Sequence, residues 1–165
     1  MQPKPLTIDE IAALVQEKFG DVISEPVKTP TAEFFTITDL EYLQAVMYFL
    51  REDERTKFNY LYCLSGVDNG DGSLSVVYHL ESLGVHGHRL EVKANCSVEK
   101  PEIPSVAEIW RTADWHEREA YDFFGIKFIG HPDLRRILCP EDWEGHPLRK
   151  DYKVAEYYHG IKVPF

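Results

Sequence analysis

The stretch Trp115-His-Glu-Arg-Glu-Ala-Tyr-Asp-Phe-Phe-Gly-Ile-Lys-Phe-Ile-Gly-His-Pro-Asp-Leu-Arg-Arg-Ile-Leu138 interleaves large rings with acids, arginines and two glycines. That mixture fits neither a simple core nor a simple solvated surface. At helical spacing from Trp115, it brings Glu117, Tyr121 and Phe124 to one face and sets Arg118 and Asp122 four residues apart, where they can pair. Gly125 is placed to end this helix, and Ile126 to Ile129 reads as a short strand. Beyond Gly130 the periodicity gives way to His-Pro, Cys-Pro and His-Pro punctuation. The expectation is an α+β domain over 1–130, including a helix near 115–124, followed by an extended partner-binding tail over 131–165.

Towards the amino terminus, Thr7-Ile-Asp-Glu10 offers a capping box, and Ile8, Ile11, Leu14, Val15 and Phe19 recur at helical spacing before Gly20. Pro26 and Pro30 make residues 22–31 an irregular or edge passage, and Glu33 to Ile37 reads as a short strand. A second capping box, Thr38-Asp-Leu-Glu41, predicts a helix carrying Leu40, Leu43, Val46, Met47 and Leu50 on one stripe, ending in the cluster Arg51 to Lys57. Phe58 to Leu64, Leu74 to Leu83 and His88 to Cys96 read as strands, with a hairpin turn at Asp68-Asn-Gly-Asp-Gly-Ser73. Two prolines break the pattern over Lys100 to Ser105. Ser105-Val-Ala-Glu108 then opens a helix, and Asp114-Trp-His-Glu117 looks like a fresh cap, which predicts a helix pair kinked near Ala113. The fold class expected is a single α+β domain: two N-terminal amphipathic helices against a mainly antiparallel meander sheet, then the helix near 115–124 and an extended C-terminal tail.

A chain of 165 residues is long enough for one domain with a proper core. Its formal charge of -10 argues against nucleic acid or anionic lipid as the main partner, since both attract basic surfaces. No run approaches the roughly 18 apolar residues of a spanning helix, and the amino terminus lacks a signal-peptide pattern, so a cytoplasmic location is expected. Cys63, Cys96 and Cys139 suit neither a disulfide framework nor a C-x-x-C site, and read as reduced thiols. The 68–73 loop lacks the ligand spacing of a calcium loop, and His86 and His88 lie in a Gly-rich turn without matched ligands.

Catalysis on the charged helix finds little support. Glu117 and Glu119 are two residues apart and point about 200° away from each other on a helix, and no H-E-x-x-H, phosphate loop or G-x-S-x-G elbow is present. A free-standing metalloenzyme using His116, Glu119 and His131 is the rival reading. The better one is a surface built to be covered by another protein: Trp, Tyr, Phe and Arg are enriched in interface cores. Trp143, Tyr152, Tyr157, Tyr158 and Phe165 lie in a proline-rich tail that cannot easily bury them against itself. Internal ion pairing of Arg118, Asp122, Arg135 and Arg136 would at the same time lock the helix to the tail.

The runs Glu117-Arg-Glu-Ala-Tyr-Asp-Phe-Phe-Gly-Ile126, Gly130-His-Pro132, Arg136-Ile-Leu138 and Pro147-Leu-Arg-Lys-Asp-Tyr152 closely resemble the signature of the 30-kDa subunit family of respiratory complex I, the C subunit of NADH-quinone oxidoreductase. The preceding hundred residues agree with that family only in layout. The resemblance implies a hydrophilic-arm subunit that scaffolds the quinone-reducing module of a proton-translocating complex and carries no cofactor and no catalytic residue of its own. FMN (if the complex is NADH-linked), iron-sulfur clusters and quinone would belong to the assembly. The implied partners are the large 49-kDa-type subunit, the terminal iron-sulfur-cluster subunit and other hydrophilic-arm subunits, with membrane contact only through the complex, on the cytoplasmic side. The implied interface runs through Trp115, Glu117, Arg118, Glu119, Tyr121, Asp122, Phe124 and Gly125, then Gly130, His131, Pro132, Arg135 and Arg136, and in the tail Trp143, Pro147, Arg149, Lys150, Asp151 and Tyr152. The same signature marks relatives fed by ferredoxin, coenzyme F420 or a hydrogenase. With thirteen residues after Tyr152, no long carboxy-terminal extension or fusion to the large subunit is expected.

Overall fold

The computed structural model describes residues 4–85 and 87–163; His86, one half of the His86/His88 pair, and Phe165 lie outside them. Helix α1 (Ile8–Phe19) starts at the capping box: Thr7 N–H donates to Glu10 Oε2 at 2.7 Å and Glu10 N–H to Thr7 Oγ1 at 3.3 Å. Its stripe buries Ile8, Ile11, Ala12 and Val15. The second box is not formed. Thr38 N–H donates to Val22 O at 2.9 Å, which keeps Thr38 in the extended path of the preceding strand. Asp39 caps instead, its Oδ1 accepting from Glu41 N–H at 3.0 Å, and a 3-10 turn over Leu40–Tyr42 leads into α2 (Leu43–Glu52). Leu43, Val46, Met47 and Leu50 of α2 are fully buried, each contributing about 1.5–3 kcal/mol of transfer free energy.

The main sheet runs in the order β1 (Val27–Lys28), β2 (Glu33–Ile37), β5 (Arg89–Ser97), β4 (Ser73–Glu81) and β3 (Tyr60–Asp68). Strands β3, β4 and β5 form the antiparallel meander, while β2 joins β5 in parallel. Alternation sets one face inward: Leu74, Val76, Tyr78 and Leu80 on β4, and Leu90, Val92 and Ala94 on β5. On β3 the inward residues Leu61 and Leu64 are three apart, out of step with a period of two. A bulge between Leu61 and Cys63 reconciles them.

The helix pair expected over 105–124 is a single helix. Residues 105–112 make one helical turn, with Trp110 N–H on Val106 O at 3.0 Å, and are anchored by side chains. Trp110 Nε1–H donates to Phe58 O at 3.1 Å and Thr112 Oγ1 to Leu61 O at 2.8 Å. Helix α3 (Ala113–Phe124) therefore begins one residue before Asp114, and Thr112 sits at its N-cap without a side-chain capping bond, its hydroxyl being engaged by β3. Residues 102–104, expected to be irregular, form β6 (Glu102–Pro104), which pairs in parallel with β7 (Lys127–Ile129). Pro104 lacks a ladder donor but sits at the strand's end, where none is needed.

Helix α3 lies on β3 at Gly66. A Cβ there would meet Phe124 Cδ2 at 2.7 Å and Ala120 Cβ at 3.3 Å. Gly66→Ala is expected to lower stability by about 1–3 kcal/mol in urea denaturation, because the ring and the helix must both shift. An unchanged midpoint would mean that α3 has room to withdraw. The tail after Gly130 follows the surface in turns and ends in a small hairpin of β8 (Tyr157–Tyr158) and β9 (Ile161–Lys162).

Candidate functional site

Helix α3 buries three charged side chains, Glu117, Arg118 and Asp122, alongside Ala113 and Ala120. A buried charge is tolerated when hydrogen bonds and counter-charge replace its water, so the partners of these three define the site.

Asp122 is fully satisfied. Its Oδ2 accepts from the amides of Ile137, Leu138 and Cys139 at 3.1, 2.8 and 2.9 Å, a concave run of backbone donors of the kind that binds anions. Its Oδ1 accepts from Arg136 Nη1 at 2.8 Å, and Arg136 Nη2 continues to Trp143 O and Gly145 O at 2.9 and 2.8 Å. Burial pushes the carboxyl up, but the Cys139 amide, Arg136 and the other two amides outweigh it and hold the pKa at about 2. Further ties follow along the tail. Leu148 N–H donates to Phe123 O at 3.1 Å, and Lys150 N–H to Asp68 Oδ2 at 2.8 Å. The His146 ring covers Gly125, where a Cβ would lie 2.5 Å from the imidazole; φ of +75° there also favours glycine.

Glu117 is fully enclosed. Its Oε2 accepts from Ser105 Oγ at 2.6 Å and its Oε1 from Val106 N–H at 2.7 Å, which fastens the 105–106 turn to the helix. Burial pushes its pKa up to about 7; the two hydrogen bonds oppose the rise, and Asp114 adds to it. Beside it, His131 Nδ1 accepts from Asp133 N–H at 3.0 Å, which places the ring proton on Nε2, 3.1 Å from Asp114 O. That Nε2 lies 3.3 Å from Asp114 Oδ1 and 4.0 Å from Glu117 Oε2.

The expected Arg118–Asp122 pair is absent. Asp122 faces the tail, where its acceptors are filled, and the Arg118 guanidinium lies over the Trp115 ring at 4.9 Å. Glu119 is exposed and His116 half-buried, and the polar contacts of the His131 ring go to Asp114, Glu117 and Asp133. Among the described residues no group of three His, Cys, Asp or Glu side chains is placed to hold a metal ion. Tyr121 meets His146 edge-on at 6.0 Å, and Arg135 pairs with Asp133 at 2.9 Å. Gly130 and Pro132 are exposed at the turn into the tail. Arg149 pairs with Asp151 at 3.2 Å, while Trp143, Pro147 and Tyr152 line a tail pocket of about 640 Å³ with Tyr157 and Tyr158. Ser105, Asp114 and His146 take part without having been singled out from the sequence. Only a capping pattern marked Ser105 and Asp114, and His146 had no local signal. Trp115 (64% exposed), Ile129, Leu138, Leu148, Val154, Tyr157 and Ile161 present apolar surface around this unit. No helix among the described residues is long and apolar enough to cross a membrane.

A family model described as the respiratory-chain NADH dehydrogenase 30 Kd subunit matches residues 36–158. The C subunit of NADH-quinone oxidoreductase from Chloroherpeton thalassium is 62% identical over 152 residues, 92% of this chain and 63% of that protein. Its counterpart of the same name from Chlorobium phaeobacteroides is 56% identical over 153 residues, 92% of each chain. The chain thus spans under two thirds of the first relative and nearly all of the second. Among solved structures, the trypsin-resistant fragment of Nqo5 superposes with a TM-score of 0.62 at 28% identity, over 77% of this chain and 98% of that one. A chain of the membrane-bound sulfane sulfur reductase, an archaeal respiratory membrane complex, gives a TM-score of 0.71 at 25% identity, over 88% and 85%.

Proposed function

Because the chain belongs to the respiratory-chain NADH dehydrogenase 30-kDa subunit family, we propose that it serves as a cofactor-free hydrophilic-arm subunit of a complex I-type NADH-quinone oxidoreductase, scaffolding the quinone-reducing module. The observation that carries this reading is the α3–tail unit. Its charges are largely used internally to pin the tail, while Trp115, Leu138, Leu148, Tyr157 and Ile161 stay exposed around it. Soluble monomers seldom leave such surface uncovered, and aromatic anchors are what interface cores use. Its partners in this reading are the large 49-kDa-type subunit, the terminal iron-sulfur-cluster subunit and other hydrophilic-arm subunits, at the cytoplasmic face of the membrane. Electron transfer and proton translocation belong to that assembly.

Purification of the tagged full chain from native membranes in mild detergent, with mass spectrometry of the eluate, tests the proposal. Recovery of iron-sulfur and membrane subunits supports it, and a flavoprotein among them selects the NADH-linked branch over ferredoxin-, F420- or hydrogenase-linked relatives. A chain eluting alone would end it. Leu148→Asp, at a half-exposed position, should leave the isolated chain within about 0.5 kcal/mol of wild type and yet deplete the co-purified subunits. Undiminished recovery would show that this part of the tail is not at the interface.

A further inference from the structure

Arg118 is the buried cation of α3, and it forms no salt bridge with a carboxylate among the described residues. It is only 6% exposed, and its single hydrogen bond there is a long one, from Nε to Arg135 O at 3.4 Å; Nη1 and Nη2 meet no acceptor among the described residues and keep contact with solvent. The nearby carboxylates are engaged. Asp122 is filled by Arg136 and three amides, and Asp133 hydrogen-bonds to Arg135, feeling the Arg118 charge only at longer range. This shortage is one of placement, since the chain carries 28 acids against 18 Lys and Arg. The Arg118 guanidinium stacks on Trp115, 4.9 Å from the ring centre, an attraction that strengthens as water is excluded from it.

The stack points to what completes the pair. Trp115 is 64% exposed, so the guanidinium is held against a ring that itself borders solvent; Ile129, on the β7 strand packed beside α3, is 54% exposed. A planar fork fixed on an indole is organised for two parallel N–H···O bonds to a carboxylate. We propose that Arg118 is the receptor for an Asp or Glu side chain of a partner subunit, seated against Trp115 when the complex assembles. The inference rests on the subunit reading above and adds to it the chemistry of one contact: an acidic residue with an apolar surround.

The test uses the tagged full chain as wild type, Arg118→Gln and Arg118→Lys, each expressed in its native cells and also purified alone. Recovery of partner subunits should fall about tenfold or more for Arg118→Gln, while the urea midpoint of the isolated chain stays unchanged. Arg118→Lys keeps the charge without the fork, so recovery should be intermediate. Carbodiimide treatment of that complex should join the introduced amine to a partner carboxylate as an amide, the reagent taking up the water lost, and mass spectrometry then reads the partner residue. Full recovery with Arg118→Gln overturns the inference. So does a loss of stability in the isolated variant, which would make Arg118 an internal strut, or a cross-link confined to this chain. If wild type itself retrieves no subunits, the subunit reading fails and takes this inference with it; wild-type recovery with unaffected variants removes the inference alone.

Discussion

Asp122→Ala should release the tail from α3 and lower stability by about 3–5 kcal/mol, the largest effect expected of any single change here. The substitution leaves the Ile137, Leu138 and Cys139 amides without their common acceptor and the Arg136 guanidinium without its carboxylate. Stranded donors cost more than the bonds contributed, because water does not readily replace the lost oxygen. Arg136 also holds Trp143 O and Gly145 O, so the disturbance should spread along the tail while the sheet keeps its protection. Hydrogen exchange localises the effect: amides 137–139 should lose protection before those of β4 and β5. Retained protection at 137–139 would show that the later ties at Leu148 and Lys150 hold the tail without the carboxylate. The same carboxyl gives an acid limit. Its folded pKa of about 2 lies below the ordinary 3.8, so its contribution is complete above pH 3.8 and is lost as pH falls through about 2, a change of about 2 kcal/mol.

Glu117→Gln should act in the opposite direction and with the opposite pH dependence. Enclosure of Glu117 raises its pKa from 4.5 to about 7, so the native state holds a proton that the unfolded chain releases. Its contribution is most favourable below pH 4.5 and declines as pH rises through about 7, by about 3 kcal/mol in all. Glutamine does not titrate and can keep both contacts, accepting from Val106 N–H and donating to Ser105 Oγ in place of accepting from it. The variant should match wild type near pH 4.5 and exceed it by about 3 kcal/mol at pH 8, read as urea unfolding free energies across that range. The titratable groups near the carboxyl are His131, with Nε2 at 4.0 Å, the buried Tyr78, whose ionisation Glu117 opposes, and Asp114, whose charge works in the same direction as burial. A pH-independent loss in the variant would mean that the hydrogen-bond geometry, and not the charge, governs this position.

Short-range features were legible to different degrees. The first capping box formed because both of its bonds span three residues and nothing else competes for Thr7. The second failed because Thr38 N–H was claimed by Val22 O, across a strand contact no local pattern reveals. Ser105 reads as a helix cap and does accept from Ala107 N–H at 3.1 Å, but its hydroxyl turns to Glu117 and the helix waits until Ala113. Strand β6 stayed hidden because Pro101 just before it and Pro104 at its end count against a strand, and its partner β7 lies beyond a whole helix.

The sequence by itself determined the α+β class, the β3–β4–β5 meander, the signature helix ended by Gly125 and the family, since caps, alternation and motifs depend on residues a few positions apart. Only the tertiary structure decided how the buried charges are shared out. Asp122 takes Arg136, fourteen residues on, in place of Arg118 four residues away, and Glu117 takes Ser105, twelve residues back. The reason is desolvation: on an exposed helix the neighbour four residues along would serve, but a carboxylate removed from water goes where several donors converge, and that place exists only once the tail has folded over α3.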